Sequence, residues 1–128
     1  MKYREIELKS GTKIFLGKDA ENNDELVKEF RQKENIIMHT VALGSPFCVI
    51  ESSGINPTKK DIKEAAIICA SKSQDWRDNK RDVEINVFTG KDVKKPFLAK
   101  KGTWKIIGKA KIIKVKKEDI KKYAPAGN

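Results

Sequence analysis

Bulky and polar residues alternate with a period of two over residues 2–8 (KYREIEL), with Tyr3, Ile6 and Leu8 as the bulky members. A KSGT turn and KIFLG (13–17) follow, which predicts a β-hairpin with Gly11 supplying the permissive backbone. GKDAENND (17–24) reads as a loop ending in Asn23 or Asp24 as the cap of a short helix, ELVKEF, that turns Leu26, Val27 and Phe30 to the core. IIMHTVA (36–42) and PFCVIES (46–52) read as two strands around a Leu43–Gly44–Ser45 turn, and SGINPTKKD as turn chemistry. One main helix is expected over about 58–79, opened by a Thr58/Asp61 capping box. Its small-residue face (Ile62, Ala65, Ala66, Cys69, Ser73, Trp76) can lie flat on a sheet. DVEINVFTG (82–90) alternates as a strand. KDVKKPFLAKKG is too rich in Pro, Gly and Lys for regular structure, and TWKIIGKAKIIKVKK is β-branched and therefore strand. Its alternation slips at Ile106–Ile107 and Ile112–Ile113, suggesting a bulge or strands covered on both faces. EDIKKYAPAGN gives a helical turn and a frayed tail.

The order ββα–ββ–α–βββ predicts an α+β fold, a mostly antiparallel sheet with one main and one short helix packed against it. A chain of 128 residues is expected to form one domain, residues 1–117, with 118–128 a short helical turn and flexible tail. No apolar run reaches the length of a membrane span, and the N-terminus lacks the apolar core of a signal peptide, so a soluble, cytoplasmic protein without a membrane partner is expected. Cys48 and Cys69 have apolar neighbours and read as reduced core residues.

Charge changes the picture. Residues 1–90 carry 15 Lys/Arg and 15 Asp/Glu, whereas residues 91–128 carry 13 Lys and 3 acids, so the whole net charge of +10 belongs to the last third. A neutral body joined to a segment of one sign is the footprint of anion binding. Lys-rich composition also marks heat-adapted proteins, but there Glu rises with Lys, and in this segment it does not. Within the segment, Lys94, Lys95, Lys100, Lys101 and Lys105 are mixed with Phe97 and Trp104, a combination suited to phosphates and unstacked bases; Trp104 reads equally as core. Trp76, Arg77, Lys80 and Arg81 add a second basic cluster. No Arg lies in the basic tail, so backbone and shape should be read more than sequence.

A metal site lacks ligands, since His39 is the single histidine and the cysteines are isolated. Cys48 and His39, on neighbouring strands, are a candidate nucleophile and base, but no glycine-rich elbow follows Cys48 to build an oxyanion hole. GKDAENND, with Lys18, Asn22, Asn23 and Asp24, has the flavour of a phosphate cradle and is also the nearest partner for a buried His39.

Taken in order, GKDAENND, the histidine of IIMHT, GSPFCVI, DIKEAAIICASKSQDWR and VEINVFTGKDVKKP…KKGTW resemble the RNA-binding domain of the NFACT family over about residues 10–117. The family's signature polar residues match Gly17, Lys18, Asn23, Asp24, His39, Gly44, Ser45 and Lys95. The chain departs from the pattern at Asn35, Ile37 and Met38, where an acid and aromatics are usual, and at Pro46, where a histidine is usual. The resemblance implies a non-catalytic module without cofactors that binds structured RNA, tRNA or rRNA, with the ribosome as a partner in quality control. A His39-dependent enzyme acting on RNA or a nucleotide, and a protein-interaction adaptor, remain the alternatives. Oligomeric state is left open.

Overall fold

A computed structural model describes residues 2–51 and 56–123; part of the turn at 52–55 and the tail at 124–128 lie outside the described residues. The N-terminal hairpin forms as expected, β1 (Arg4–Glu7) and β2 (Lys13–Leu16). Helix α1 (Ala20–Phe30) follows, then β3 (Ile36–Thr40) and β4 (Cys48–Ile50). Two helices, α2 (Lys59–Ser71) and α3 (Gln74–Asn79), lead to β5 (Val83–Thr89). A 3-10 turn at Gly90–Asp92 precedes β6 (Val93–Lys94), and β7 (Lys105–Ile106), β8 (Lys111–Val115) and α4 (Lys117–Tyr123) complete the chain. Six strands form one antiparallel sheet in the order β1-β2-β4-β3-β5-β8, and β6 pairs with β7 in a separate two-stranded arm. The class is α+β.

Three sequence expectations need correction. The main helix is broken, because the Ser73 hydroxyl accepts from Trp76 N at 3.1 Å and starts a new helix. The first helix begins earlier than expected: Asp19 is the cap, accepting from Asn22 N at 2.8 Å, which moves Asn23 and Asp24 into the helix. The isoleucine doublets mark neither a bulge nor strands covered on both faces, since Ile107 and Ile112 are exposed and β8 keeps an unbroken register with β5. Ile106 belongs to the two-stranded arm and packs half-buried on the core, whereas Ile112 and Ile113 lie on β8 at the edge of the main sheet.

The alternation along each strand sorts the core into two layers. Ile14, Leu16, Met38, Cys48, Ile50, Val83 and Ile85 meet α2, α3 and α4 on one face. The small face of α2 lies there as expected, with Ala65, Ala66 and Cys69 buried and the Thr58/Asp61 capping box formed. On the other face Ile37, Val49 and Phe88 meet α1, through Leu26, Val27 and Phe30, and the two-stranded arm, through Val93, Ile106 and Trp104. Both cysteines are buried and reduced.

Candidate nucleic-acid interface

On this second face, α1 and the two-stranded arm cover only part of the sheet. Beyond them lies an open groove of about 1010 Å³. Six basic side chains line it (Arg4, Lys18, Lys72, Arg77, Lys101 and Lys105) against a single acid, Asp19. The groove is thus basic with cations from four distant parts of the chain, of which only Lys101 and Lys105 belong to the basic last third.

The wall made by residues 95–104 is held by one carboxylate. Asp24 Oδ1 accepts from Lys95 Nζ at 2.8 Å, Gly102 N at 2.8 Å and Trp104 Nε1 at 3.0 Å. Gly102 has φ +78, a conformation that glycine adopts without steric cost. Lys95 Nζ also donates to the Lys100 carbonyl and sits 5.4 Å from the centre of the Trp104 ring. Burial acts to raise the Asp24 pKa. The Lys95 and Gly102 hydrogen bonds, the Lys95 charge and the Trp104 N–H outweigh it and leave the carboxyl below its ordinary value. Asp24 and Lys95 therefore form an internal clasp, and Trp104 is half-buried, part core and part groove lining.

Residues 17–24, the loop before α1 and its first turn, continue the groove's border from that wall. Asn23 is buried and its Oδ1 accepts from Phe47 N at 3.0 Å; a Cβ at Gly17 would collide with that side chain, so glycine there allows the crossing. Asn22 accepts from Lys18 N and donates to the Lys2 carbonyl. Ser45, also buried, accepts from Thr40 N at 3.1 Å and holds the β3–β4 turn.

His39 stands on the groove floor and not against the 17–24 loop as expected. Its ring stacks on Phe47, with centroids 4.3 Å apart, and its Nδ1 lies 2.9 Å from the Thr40 carbonyl, which makes Nδ1 the protonated nitrogen. Burial lowers the imidazole pKa below 6.5, opposed by backbone hydrogen bonds at Thr40 and Ser45, so the ring is neutral at neutral pH. The link to the loop is indirect, through Asn23 and the Phe47 backbone.

Cys48 and His39 do not form a dyad. Met38 pairs with Cys48, and both point to the α2 face, whereas His39 points to the groove. Burial, with a contribution from Cys69, also raises the Cys48 thiol pKa well above normal, and burial pushes Cys69 up to about 12.

Of the residues singled out in the sequence, Lys18, Asn23, His39, Ser45, Arg77, Lys101, Trp104 and Lys105 come together around this groove. Lys94 and Lys100 are exposed on the arm beside it. Arg81 is engaged elsewhere, paired with buried Asp75 at 3.0 Å on a different depression. Arg4, Lys72 and Asn86 belong to the groove and carried no pattern that marked the two cations. Asn86 had a signal: a polar residue set among Val83, Ile85, Val87 and Phe88 on a strand.

The family model described as the NFACT protein RNA binding domain matches residues 2–108. The archaeal Rqc2 homolog aRqcH of Methanocaldococcus jannaschii is 31% identical over 68 residues, 53% of this chain and 10% of that protein. Among solved structures, the C-terminal part of the fibronectin/fibrinogen-binding protein from Streptococcus suis superimposes with a TM-score of 0.79 over 95% of this chain and 49% of that one, at 24% identity, which is a likeness of fold. The chain thus spans a tenth of its curated relative and about half of the solved chain. Among the described residues, no helix is long and apolar enough to cross a membrane.

Proposed function

Because the chain belongs to the NFACT protein RNA binding domain family, we propose that it binds structured RNA in the groove bordered by residues 17–23 and by Lys101–Ile106, without acting on it as an enzyme. The observation that carries this reading is the six-to-one excess of cations over acids in a groove that also exposes part of Trp104. Phosphates are met by Lys18, Arg77, Lys101 and Lys105, with Lys94 and Lys100 adding charge from the arm and Arg81 from the flank. Asn22, Asn23, Asp24, Ser45 and Lys95 keep the walls in place. Lysines act as point charges, so the complex reads backbone and shape before sequence. A tRNA or rRNA in the cytoplasm, with the ribosome as the setting, fits the name of the archaeal Rqc2 homolog. Non-catalytic binding is favoured because the two thiols are sealed in the core on the far face from His39.

Binding to a tRNA, followed by anisotropy across a salt series, tests this. If about five cations meet phosphates, log K falls with log salt at a slope of about −3 to −5. Lys101→Glu with Lys105→Glu should lower affinity at least about ten-fold and flatten that slope. The same reversal at Lys59, Lys60 and Lys63, on α2, should do far less. Equal losses from both sets would reduce the site to total charge and overturn the assignment. A protein that ignores purified RNA altogether would point to an adaptor.

A further inference from the structure

One row of side chains crosses the open part of the sheet, from His39 and Asn86 on the groove floor to Ile112 at the sheet edge beside it. The strand register sets His39 opposite Asn86 and Asn86 opposite Ile112, with Phe47 stacked on the far side of His39. The outer members are apolar or aromatic, and the middle one is an amide. Asn86 is half-buried, its side chain has no hydrogen-bond partner among the described residues, and its amide atoms are open to the groove. An amide that faces solvent and is engaged by no other side chain keeps both its donor and its acceptor available to a ligand. Ile112 is the second anomaly, a β-branched apolar residue 58% exposed in the strand at the sheet edge.

Resting on the RNA-binding reading above, we infer that this row is a slot for one unstacked nucleobase, with Asn86 reading the base edge between the imidazole of His39 and the methyls of Ile112. The spacing allows it. His39 and Ile112 are two strands apart, roughly 9–10 Å. Once the thickness of the imidazole and of the isoleucine is taken off, the gap accepts one aromatic plane standing on edge. Such a base has one face on the imidazole and the other on Ile112, and its donor and acceptor edge meets the Asn86 amide. The neutral state of His39 suits this role, since a neutral ring stacks without bringing a charge into the slot. Phe47 behind it fixes the ring, and Phe47 is fixed in turn by Asn23 through its backbone N–H. The amide can present donor and acceptor in either order, so the slot requires a base and discriminates weakly among the four. Sheet faces with exposed aromatic rows bind single-stranded RNA on the same physical grounds.

The test uses an RNA hairpin with a six-nucleotide loop and the same hairpin with an abasic loop, so that charge and stem are constant. The wild type should bind the first about ten-fold more tightly, in line with the stacking and edge contacts of one base. Asn86→Ala should lose most of that factor on the base-bearing loop and nothing on the abasic one, and Ile112→Ala should lose about three-fold with the same selectivity. Urea midpoints of both variants should stay near the wild type. Equal affinity of the wild type for the two hairpins, or losses by Asn86→Ala that are the same on both, would overturn the slot and leave RNA binding through phosphates intact. Failure of the protein to bind either hairpin or any tRNA would overturn the RNA-binding reading itself.

Discussion

The two faces of the sheet are built from different residues, and the difference separates stability from function. Against one face lies α2, whose contact surface is Ala65, Ala66, Cys69 and Ala70, all fully buried; with Trp76 and Ile120 it closes that side. Small side chains let a helix approach a sheet closely, so thirteen helical residues cover most of a face. The other face is packed by large rings, Tyr3, Phe15, Phe30, Phe47, Phe88 and Trp104. Rings fill volume locally, α1 and the arm are joined through Asp24, and the sheet beyond them stays open. The polar row of His39 and Asn86 occupies that opening.

The sharpest way to break this comparison uses adjacent residues on β5. Ile85 is fully buried toward α2, while Asn86 faces the groove. Ile85→Ala should destabilise by about 2–5 kcal/mol, the usual cost of a large core truncation, with the affinity of the folded protein for RNA unchanged. Urea unfolding and binding below the unfolding midpoint check both halves. If Ile85→Ala weakened binding as much as Asn86→Ala, the two faces would not be functionally distinct.

A somewhat smaller effect is expected at the clasp. Asp24→Ala strands the Lys95 ammonium, the Trp104 N–H and the Gly102 N–H, at a cost of about 1–3 kcal/mol. Because the 95–104 wall depends on this carboxylate, RNA affinity should fall with it, unlike in the Ile85 variant. The Asp24 pKa is depressed, so its contribution is fully present above the ordinary aspartate value of 3.8 and is lost as pH falls through the lower folded value. Near neutral pH the clasp should be insensitive to acidity. A variant that loses stability while keeping wild-type RNA affinity would show that the wall's position does not matter.

The strands, the α2 face and the capping box could be read from the sequence because each depends on residues within one or two turns of chain. Ser73 illustrates the limit. Its place on the small face of the helix was visible, but its hydroxyl also caps the next helix, and pattern alone does not choose between a buried serine and a cap. The groove was harder. Lys95 is visible as a cation, yet its partner Asp24 lies 71 residues away, so its engagement inside the clasp follows from tertiary structure. Arg4 and Lys72 enter the groove for the same reason. The lysine-rich segment also divides: Lys101 and Lys105 face the groove, whereas Lys111 and Lys116 flank an apolar recess beside α2. A count along the chain merges two surfaces that the fold separates.

The smallest effect, and the one most specific to the open face, concerns His39 and pH. Burial lowers its pKa, so the folded state holds a neutral imidazole where the unfolded chain takes up a proton near pH 6.5. The groove around it is basic, with Arg4, Lys18, Lys72, Arg77, Lys101 and Lys105 against Asp19, and gives a further positive charge no support. Below 6.5 the unfolded state binds more protons than the folded one, so stability is complete above that pH and declines as pH falls from 6.5 toward the lower folded value. His39→Gln keeps a donor for the Thr40 carbonyl and a planar surface against Phe47, and removes the titration. Urea midpoints measured at several values between pH 7.5 and 5.5 should therefore fall for the wild type by more than for the Gln variant, with the two curves converging in slope above pH 6.5. Parallel curves through the whole range would mean that the imidazole is open enough to carry its proton in the folded state. In that case His39 would meet RNA as a cation, and the contrast between a charged rim and a neutral floor would disappear.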